Sequence, residues 1–387
     1  MLALKFIWLI SILVIFWAMV GYPVSLIVLN KIFRKDNKKD DTLEPTVTIM
    51  VVAHDEERVI AEKLQNLLDI DYPTEKLEFL IASDFSTDKT NEIVEEFIAT
   101  HSERRIRIHK SINHYGKTNA QDEAQKLCDT EILVMTDANA IFESSAVREL
   151  VSYFTDQDIA YVSGQLRYIN TEENQTANLE GFYWKLDLMC RSIESKFQTI
   201  TAGNGAIYAV RNSNYEKIPS IECHDSYFPI VYALKKKRAI YNPNAIAYEK
   251  AGEVNEDEFK RKVRMNRTIL RGICPDIRVF NVLEYRWFSY FYFGHRTCRY
   301  SLWFMHLLVF IINIPLSIWG GWLWKIIFGF QLIFYAIATL GWITRSSNKF
   351  VKIVTYYCMT VIAQWKGVIN CVTGKSKPVW EKAESTR

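Results

Sequence analysis

The chain has 387 residues, with 47 basic and 44 acidic side chains and a formal charge of +3. Abundant aliphatic and aromatic residues exclude a disordered chain. Seven scattered Cys without a CxxC pair exclude a disulfide scaffold, and the near-neutral balance gives no argument for a nucleic-acid partner.

The mean hydropathy of −0.05 averages two unlike parts. Residues 1–30 hold one charge, Lys5, and residues 302–344 hold one, Lys325. The other 314 residues carry the remaining 89 charges. The pattern is a charged globular body between ends apolar enough for a membrane.

Leu2–Leu29 is long enough to cross a hydrocarbon core of about 30 Å at about 1.5 Å per residue, and Pro23 is expected to kink its last turns. The alternative is a cleaved signal peptide, but no small-x-small site closes the apolar run. Lys31, Arg34, Lys35, Lys38 and Lys39 follow it, against Lys5 before it. That asymmetry makes residues 1–30 an anchor in the cytoplasmic (inner) membrane and places the next domain in the cytoplasm.

Residues 44–275 alternate strand and helix patterns. Strands are expected at Val47–Ala53, Leu77–Ala82, Ile106–His109, Ile132–Thr136 and Ile159–Ser163. Helices are expected at Arg58–Leu68, Thr90–Thr100, Asn119–Leu127 and Ala146–Phe154. The order predicts an α/β domain with a mainly parallel sheet and helices on both faces. Later, Gly203-Asn204-Gly205 precedes a strand-like run, Ala206–Val210, and Tyr227–Leu234 reads as a helix.

Residues 276–301 read as an interfacial segment, with Tyr285–Arg299 a helix that returns the chain to the bilayer. Residues 302–344 supply two transmembrane candidates, Leu302–Gly320 and Trp322–Thr344. Trp303 and Trp342 would mark one interface, and Trp319, Trp322 and Trp324 the other. Residues 350–372, interrupted by Lys352, Gln364, Lys366 and Asn370, suit a third span or an interfacial helix. The basic tail, 373–387, favours a cytoplasmic end, which an even number of crossings satisfies.

Ligands of such sheets bind beyond the carboxyl ends of the strands. The residues there are Asp55 and Glu56, Asp84, and Asp137 with Asn139. Any one of them could be a helix cap; three in register favour a site.

Six short segments carry a resemblance: Ala53-His54-Asp55-Glu56-Glu57, Ser83-Asp84-Phe85-Ser86-Thr87-Asp88, Gly116-Lys117-Thr118-Asn119-Ala120, Thr136-Asp137-Ala138-Asn139, His224-Asp225-Ser226 and Arg261-Lys262-Val263-Arg264-Met265. In order and spacing the chain resembles the membrane-bound family 2 glycosyltransferases, the group that includes cellulose, hyaluronan and poly-N-acetylglucosamine synthases. The resemblance implies a GT-A type, Rossmann-like domain. It also implies inverting transfer of a sugar from a nucleotide-sugar donor, with a uridine nucleotide expected and Mg²⁺ or Mn²⁺ on the diphosphate. By the same resemblance His54, Glu56 and Asp84 hold the nucleoside, and Lys117 and Arg264 the diphosphate. Asp137 and Asn139 take the metal positions, Asp225 is the general base, and Asn204 and Met265 lie on the acceptor side. Two departures stand out: Asn139 offers an amide where a second carboxylate is usual, and Arg261-x-x-Arg264-Met265 replaces QxxRW, so the family's acceptor-side Trp is missing.

The chemistry suits these residue types. Displacing a nucleotide diphosphate builds charge on the leaving phosphates, which cations and a hard divalent ion neutralise. A carboxylate opposite the leaving group can take the acceptor proton. Lys260–Arg271 has six basic residues in twelve. Lys260, Arg264, Arg267 and Arg271 would share a helical face, serving as a solvated face, a lipid-surface helix or a phosphate clamp. The expected partners are a nucleotide-sugar donor, a saccharide or lipid-linked acceptor and the bilayer, with no nucleic acid. Three activities follow: extension of a surface polysaccharide or glycolipid, single-sugar transfer to a polyprenyl-phosphate or other lipid, and a silent nucleotide-binding subunit.

Overall fold

A computed structural model of the chain describes all residues except 34–35, 170–174, 251–254, 347 and 380–387, and no side chain of 175–183, 255 or 257. Arg34, Lys35, Lys382 and Arg387 therefore lie outside the described residues.

The N-terminal helix runs as α1 (Leu2–Phe16), a π-helical turn at Trp17–Gly21, and α2 (Tyr22–Ile32). The irregular turn falls just before Pro23, where the ring removes an intrahelical donor. The body then alternates β1 (Val47–Ala53), α3 (Ile60–Leu68), β2 (Leu77–Ser83), α4 (Thr90–Thr100), β3 (Ile106–Lys110), α5 (Lys117–Gln125), β4 (Ile132–Asp137), β5 (Ile141–Phe142), α6 (Ala146–Val151) and β6 (Ile159–Tyr168). It closes with α7 (Gln175–Phe197), β7 (Ile207–Arg211), α8 (His224–Leu234) and β8 (Arg238–Glu249).

The eight strands form one sheet in the order β3-β2-β1-β4-β7-β6-β8-β5. Its first four strands are parallel; β1, β2 and β4 are mostly apolar and buried on both faces, while β3, Ile-Arg-Ile-His-Lys, is the half-exposed edge. Beyond them β6 and β8 run in the same direction, so the sheet is mainly parallel as expected, with β7 and β5 reversed. β7 lies antiparallel between β4 and β6, and β5 is antiparallel to β8, while β6 and β8 pair in parallel. The sheet is mixed because β7 enters from the opposite edge of the site. Two apolar clusters, one on each face, sandwich it.

The register sets the site. Ala53 pairs with Ser83 and Val52 with Asp137, so β1, β2 and β4 end within a residue of one level. Thr136 pairs with Ile207, which brings the turn before β7, Gly203–Ala206, alongside Asp137.

Several helix boundaries move: the helix expected at Arg58–Leu68 begins at Ile60, and the one expected at Tyr227–Leu234 begins at His224. The helix expected at Asn119–Leu127 begins at Lys117, after Gly116 turns the chain with φ +94°. The one expected at Ala146–Phe154 ends at Val151 and tightens into a 3₁₀ turn.

After the body come α9 (Asn255–Met265), α10 (Ile269–Ile273), α11 (Val282–Tyr285), α12 (Trp287–Phe291), a π-helical stretch at Tyr292–Thr297, and α13 (Cys298–Tyr300). The cationic run is thus no single helix. Asn266–Thr268 break it, so Lys260 and Arg264 share α9 while Arg267 and Arg271 lie beyond its end. Tyr285–Arg299 is largely protein interior: Tyr285, Phe288, Phe291, Tyr292, His295, Cys298 and Arg299 are buried.

The chain ends in α14 (Leu302–Trp319), α15 (Trp322–Thr344) and α16 (Lys349–Val372). Three helices are long and apolar enough to cross a membrane: Leu2–Ile32, Leu302–Trp319 and Trp322–Thr344. At their far end Trp8 meets Trp324 edge-on at 5.1 Å. At the body end Trp342 lies beside Phe259 of α9. α16 rests across the body-side halves of α14 and α15. Its Tyr357 accepts or donates to His306 at 2.7 Å, Gln364 donates to the Arg299 carbonyl, and Gly367 packs on Asn266.

Candidate active site

The strand ends are held by their own loops. Asp55 and Phe85, after β1 and β2, sit at φ +49° and +56°, a conformation costly for non-glycine residues and typical of functional loops. The Asp55 carboxylate accepts from the Thr87 and Asp88 amides at 2.6 and 3.3 Å, which ties the two loops together.

A cavity of about 680 Å³ opens beyond these ends. His54, Glu56, Lys117, Asp137, Asn139, Asn204, Asp225, Arg264 and Met265 all line it. Of the strand-end residues picked from sequence, Asp55 and Asp84 do not, Asp55 being turned to the Thr87 and Asp88 amides. Asp84 is the one to which the resemblance gives a role. It is fully buried, accepting from the Tyr115 and Gly116 amides at 3.3 and 3.0 Å and pairing with His114 Nδ1 at 2.8 Å. Asp84 therefore holds the turn that launches Lys117. His54 is fixed between neighbours: its Nδ1 lies 2.7 Å from the Asp84 carbonyl, and its ring stacks on His114 at 3.8 Å. One face that was expected for a base is taken by protein.

Lys117 reaches across α5 to Asp137 Oδ1 and to the Gly205 carbonyl at 3.2 Å. Burial works against its charge, yet Asp137 and Asp225 outweigh that and raise its pKa above the ordinary value. The other oxygen of Asp137 and the Asn139 amide have no hydrogen-bond partner among the described residues, and both side chains face the cavity. Neither residue caps a helix.

Asp225 lies in the first turn of α8, whose N-cap is Cys223, so its carboxylate is not spent on capping. Its backbone carbonyl accepts from the Gly203 amide at 2.7 Å. The preceding His224 points inward, 2.8 Å from Gln121 and 3.1 Å from Asp122, and pins α8 to α5. The two glycines of the Gly203–Gly205 turn serve different neighbours. A Cβ on Gly203 would come within 1.8 Å of the Tyr161 hydroxyl, and one on Gly205 would stand 3.3 Å from Lys117 Nζ and 3.6 Å from the Asp225 carboxyl carbon. The first makes room for the core and the second for the site.

On the opposite wall are Arg264, Arg267 and Arg271, with Trp184 and Met265. Burial lowers the pKa of Arg264, as do its neighbours Arg261 and Arg267. Arg267 donates to the Ile221 carbonyl at 2.8 Å and meets the carbonyl of Pro378, a residue that also covers Gly116. Among the described residues no three His, Cys, Asp or Glu side chains gather to hold a metal by themselves.

Sequence reasoning missed four features. Lys63, fully buried on α3, donates to the Ala140 carbonyl and to Thr136 Oγ1 at 3.2 Å, beneath the Asp137–Ala140 turn. Its position on the apolar stripe Ile60, Lys63, Leu64, Leu67 was the available signal. The others are His114, the segment Ser376–Pro378, and an ionic cluster on α7. In that cluster Glu194 accepts from Tyr22 of the N-terminal helix at 2.6 Å and pairs with His295 at 2.6 Å.

A Rossmann-like half of parallel strands, extended by β7, which brings the Gly203–Ala206 turn to the cleft, is the GT-A type of α/β fold. Residues 48–218 match the model of the family described as Glycosyl transferase family 2. Among curated relatives, the probable glycosyltransferase YdaM of Bacillus subtilis is 24% identical over 326 residues, 79% of this chain and 75% of that one. The beta-monoglucosyldiacylglycerol synthase of Trichormus variabilis is 28% identical over 169 residues, 44% of this chain and 35% of that one. Among solved structures, the mannosyltransferase PcManGT from Pyrobaculum calidifontis, in complex with GDP-Man and Mn²⁺, matches with a TM-score of 0.74 at 20% identity, covering 95% of this chain and 99% of that one. Residues 48–218 are thus similar to family 2 glycosyltransferases, and the chain shares the fold of PcManGT.

Proposed function

We propose that the protein is an inverting, membrane-bound family 2 glycosyltransferase, acting at the cytoplasmic membrane face on a saccharide or glycolipid acceptor. One observation carries the reading: Lys117, Asp137, Asp225 and Arg264, from four separate segments, line one cavity. In this reading the donor's diphosphate lies between Lys117 and Arg264, and His54 and Glu56 face the nucleoside. A divalent ion, Mg²⁺ or Mn²⁺, would take Asp137 and Asn139 from the protein and its other ligands from the donor and water; it would supply charge neutralisation at the leaving phosphates. That PcManGT is complexed with Mn²⁺ supports this.

Asp225 takes the proton of the attacking acceptor hydroxyl. The new bond forms at the anomeric carbon as the bond to the nucleoside diphosphate breaks, with inversion. Trp184 stands on the acceptor side where Met265 offers no aromatic platform. The placement of α16 across the body-side halves of α14 and α15 supports two C-terminal spans and an interfacial helix.

The test is a screen of uridine and guanosine diphosphate sugars on membranes holding the full chain, with mass analysis of the product. Transfer to a membrane acceptor is expected, and Asp225→Asn should bind donor normally while losing about 10²–10⁴-fold in turnover. Unchanged turnover in that variant would remove Asp225 from the mechanism; a polymer rather than a single adduct would decide for processive synthesis.

A further inference from the structure

Asp225 is tied to a turn that several groups hold. The Gly203 amide donates to the Asp225 backbone carbonyl at 2.7 Å, and the Gly205 carbonyl accepts from Lys117 at 3.2 Å. The carbonyl of the same Gly203 accepts from Arg191 of α7. Three residues further along α7, Glu194 accepts from the Thr201 amide at 3.2 Å. Arg191 and Glu194 share a helical face at that spacing, and between them they fasten both ends of Thr201–Gly203.

The two side chains are themselves fixed. Arg191 meets Asp187 at 2.6 Å, and its guanidinium carbon stands 5.9 Å from the centre of the Trp184 ring. His295 places one ring nitrogen 2.9 Å from Asp187 and the other 2.6 Å from Glu194, so it bridges the two carboxylates. Tyr22 of the N-terminal helix donates to Glu194 at 2.6 Å. Gly294 makes room for that ring, because a Cβ there would come within 2.2 Å of it.

Tyr22, Asp187, Arg191, Glu194 and His295 are all buried. Hydrogen bonds to charged groups are short and strong, and burial leaves them little screened by salt. A continuous polar chain therefore runs from the N-terminal helix, through α7, to the turn beside Asp225. Arg191 lines the cavity, yet its guanidinium is directed to Asp187 and the Gly203 carbonyl.

We propose that Arg191 and Glu194 are positioning residues for sugar transfer. They set the Thr201–Gly203 turn, and through it Asp225, and Tyr22 ties that setting to the N-terminal apolar helix. The role of Asp225 rests on the glycosyltransferase reading above; the grip on the turn does not. A displacement of about 1 Å at a reacting group can cost about 10²-fold in rate. Loosening the grip should therefore act on turnover and spare the donor, since His54, Lys117 and Arg264 stand on other elements.

The test compares Arg191→Ala, Arg191→Lys, Glu194→Gln and Tyr22→Phe with the wild type, as full chains in detergent below their melting temperatures. Hydrogen exchange read by mass spectrometry needs no activity. Amides of residues 201–206 should exchange about tenfold faster in Arg191→Ala and Glu194→Gln, while β1 and α3 keep their rates. In transfer assays kcat should fall about 10²-fold in Arg191→Ala, with the donor Kd at its wild-type value. Arg191→Lys should recover part of the loss, and Tyr22→Phe should show a smaller one; these two carry the test if the others do not fold. Unaltered exchange at 201–206 in the variants overturns the grip. Faster exchange with unchanged kcat, or a donor Kd that weakens in step with kcat, overturns the positioning role. Wild-type exchange and turnover in Tyr22→Phe removes the N-terminal helix from the chain of contacts. A wild-type protein that transfers no sugar would sink the glycosyltransferase reading, while the exchange data still decide the grip.

Discussion

Lys63 couples protonation to the Asp137–Ala140 turn. Its ammonium is sealed beneath Asp137–Ala140, lies 3.9 Å from the centre of the Phe142 ring and has no exposure to solvent. Burial pushes its pKa from the ordinary 10.5 down to about 7, against the opposing pull of Asp137 and Glu249. The folded-state pKa is below the unfolded one, so between these values the unfolded chain holds more protons. Stability is therefore complete above the unfolded pKa and is lost as pH falls towards 7. The slope approaches about 1.4 kcal/mol per pH unit in this window, which amounts to roughly 3 kcal/mol between pH 7 and 9.5. For a domain of this size that is about 6–12 °C in Tm. Lys63→Met keeps the length and removes the titration. Thermal melts of the full chain in detergent, wild type and variant side by side, cancel the other ionising groups. The wild-type Tm minus the variant Tm should climb by that amount from pH 7 to 9.5. A difference that stays flat over the range would refute the claim that a buried, titrating ammonium supports the Asp137 turn.

Gly203→Ala forces a methyl against the Tyr161 hydroxyl and should destabilise the chain by about 3 kcal/mol. Because the Gly203 amide holds the Asp225 backbone, activity should fall more steeply than the fraction folded, as read by melts and assays together. Asp84→Asn replaces a carboxylate that serves two amides and His114, at a cost of about 1–3 kcal/mol. It should weaken binding of uridine and guanosine diphosphates alike, through a displaced Lys117. A change confined to one nucleoside would instead make Asp84 a reader of the base.

The strands β1 and β4 were legible because a strand buried on both faces is apolar almost throughout, as Ile49–Ala53 and Ile132–Met135 are. Residues placed directly after those strands, Asp137 and Asn139, inherited that legibility. Asp225 came from a short motif, and its freedom from capping depended on α8 beginning one residue before it. What could not be read was long-range. The sequence around β7 does not say that it inserts backwards between β4 and β6, because strand direction is set by its partners. His114 is one polar residue in a loop until it stacks on His54.

The backward insertion of β7 has a mechanical consequence. A single strand hydrogen-bonds the nucleotide half through β4 and the acceptor half through β6. The halves cannot swing apart as two jaws about a hinge without tearing that ladder. The cleft floor is therefore a fixed platform, and the distance between Asp137 and Asp225 is set when the chain folds. Any motion that opens or closes the cavity must therefore lie above the sheet, in the loops that line it.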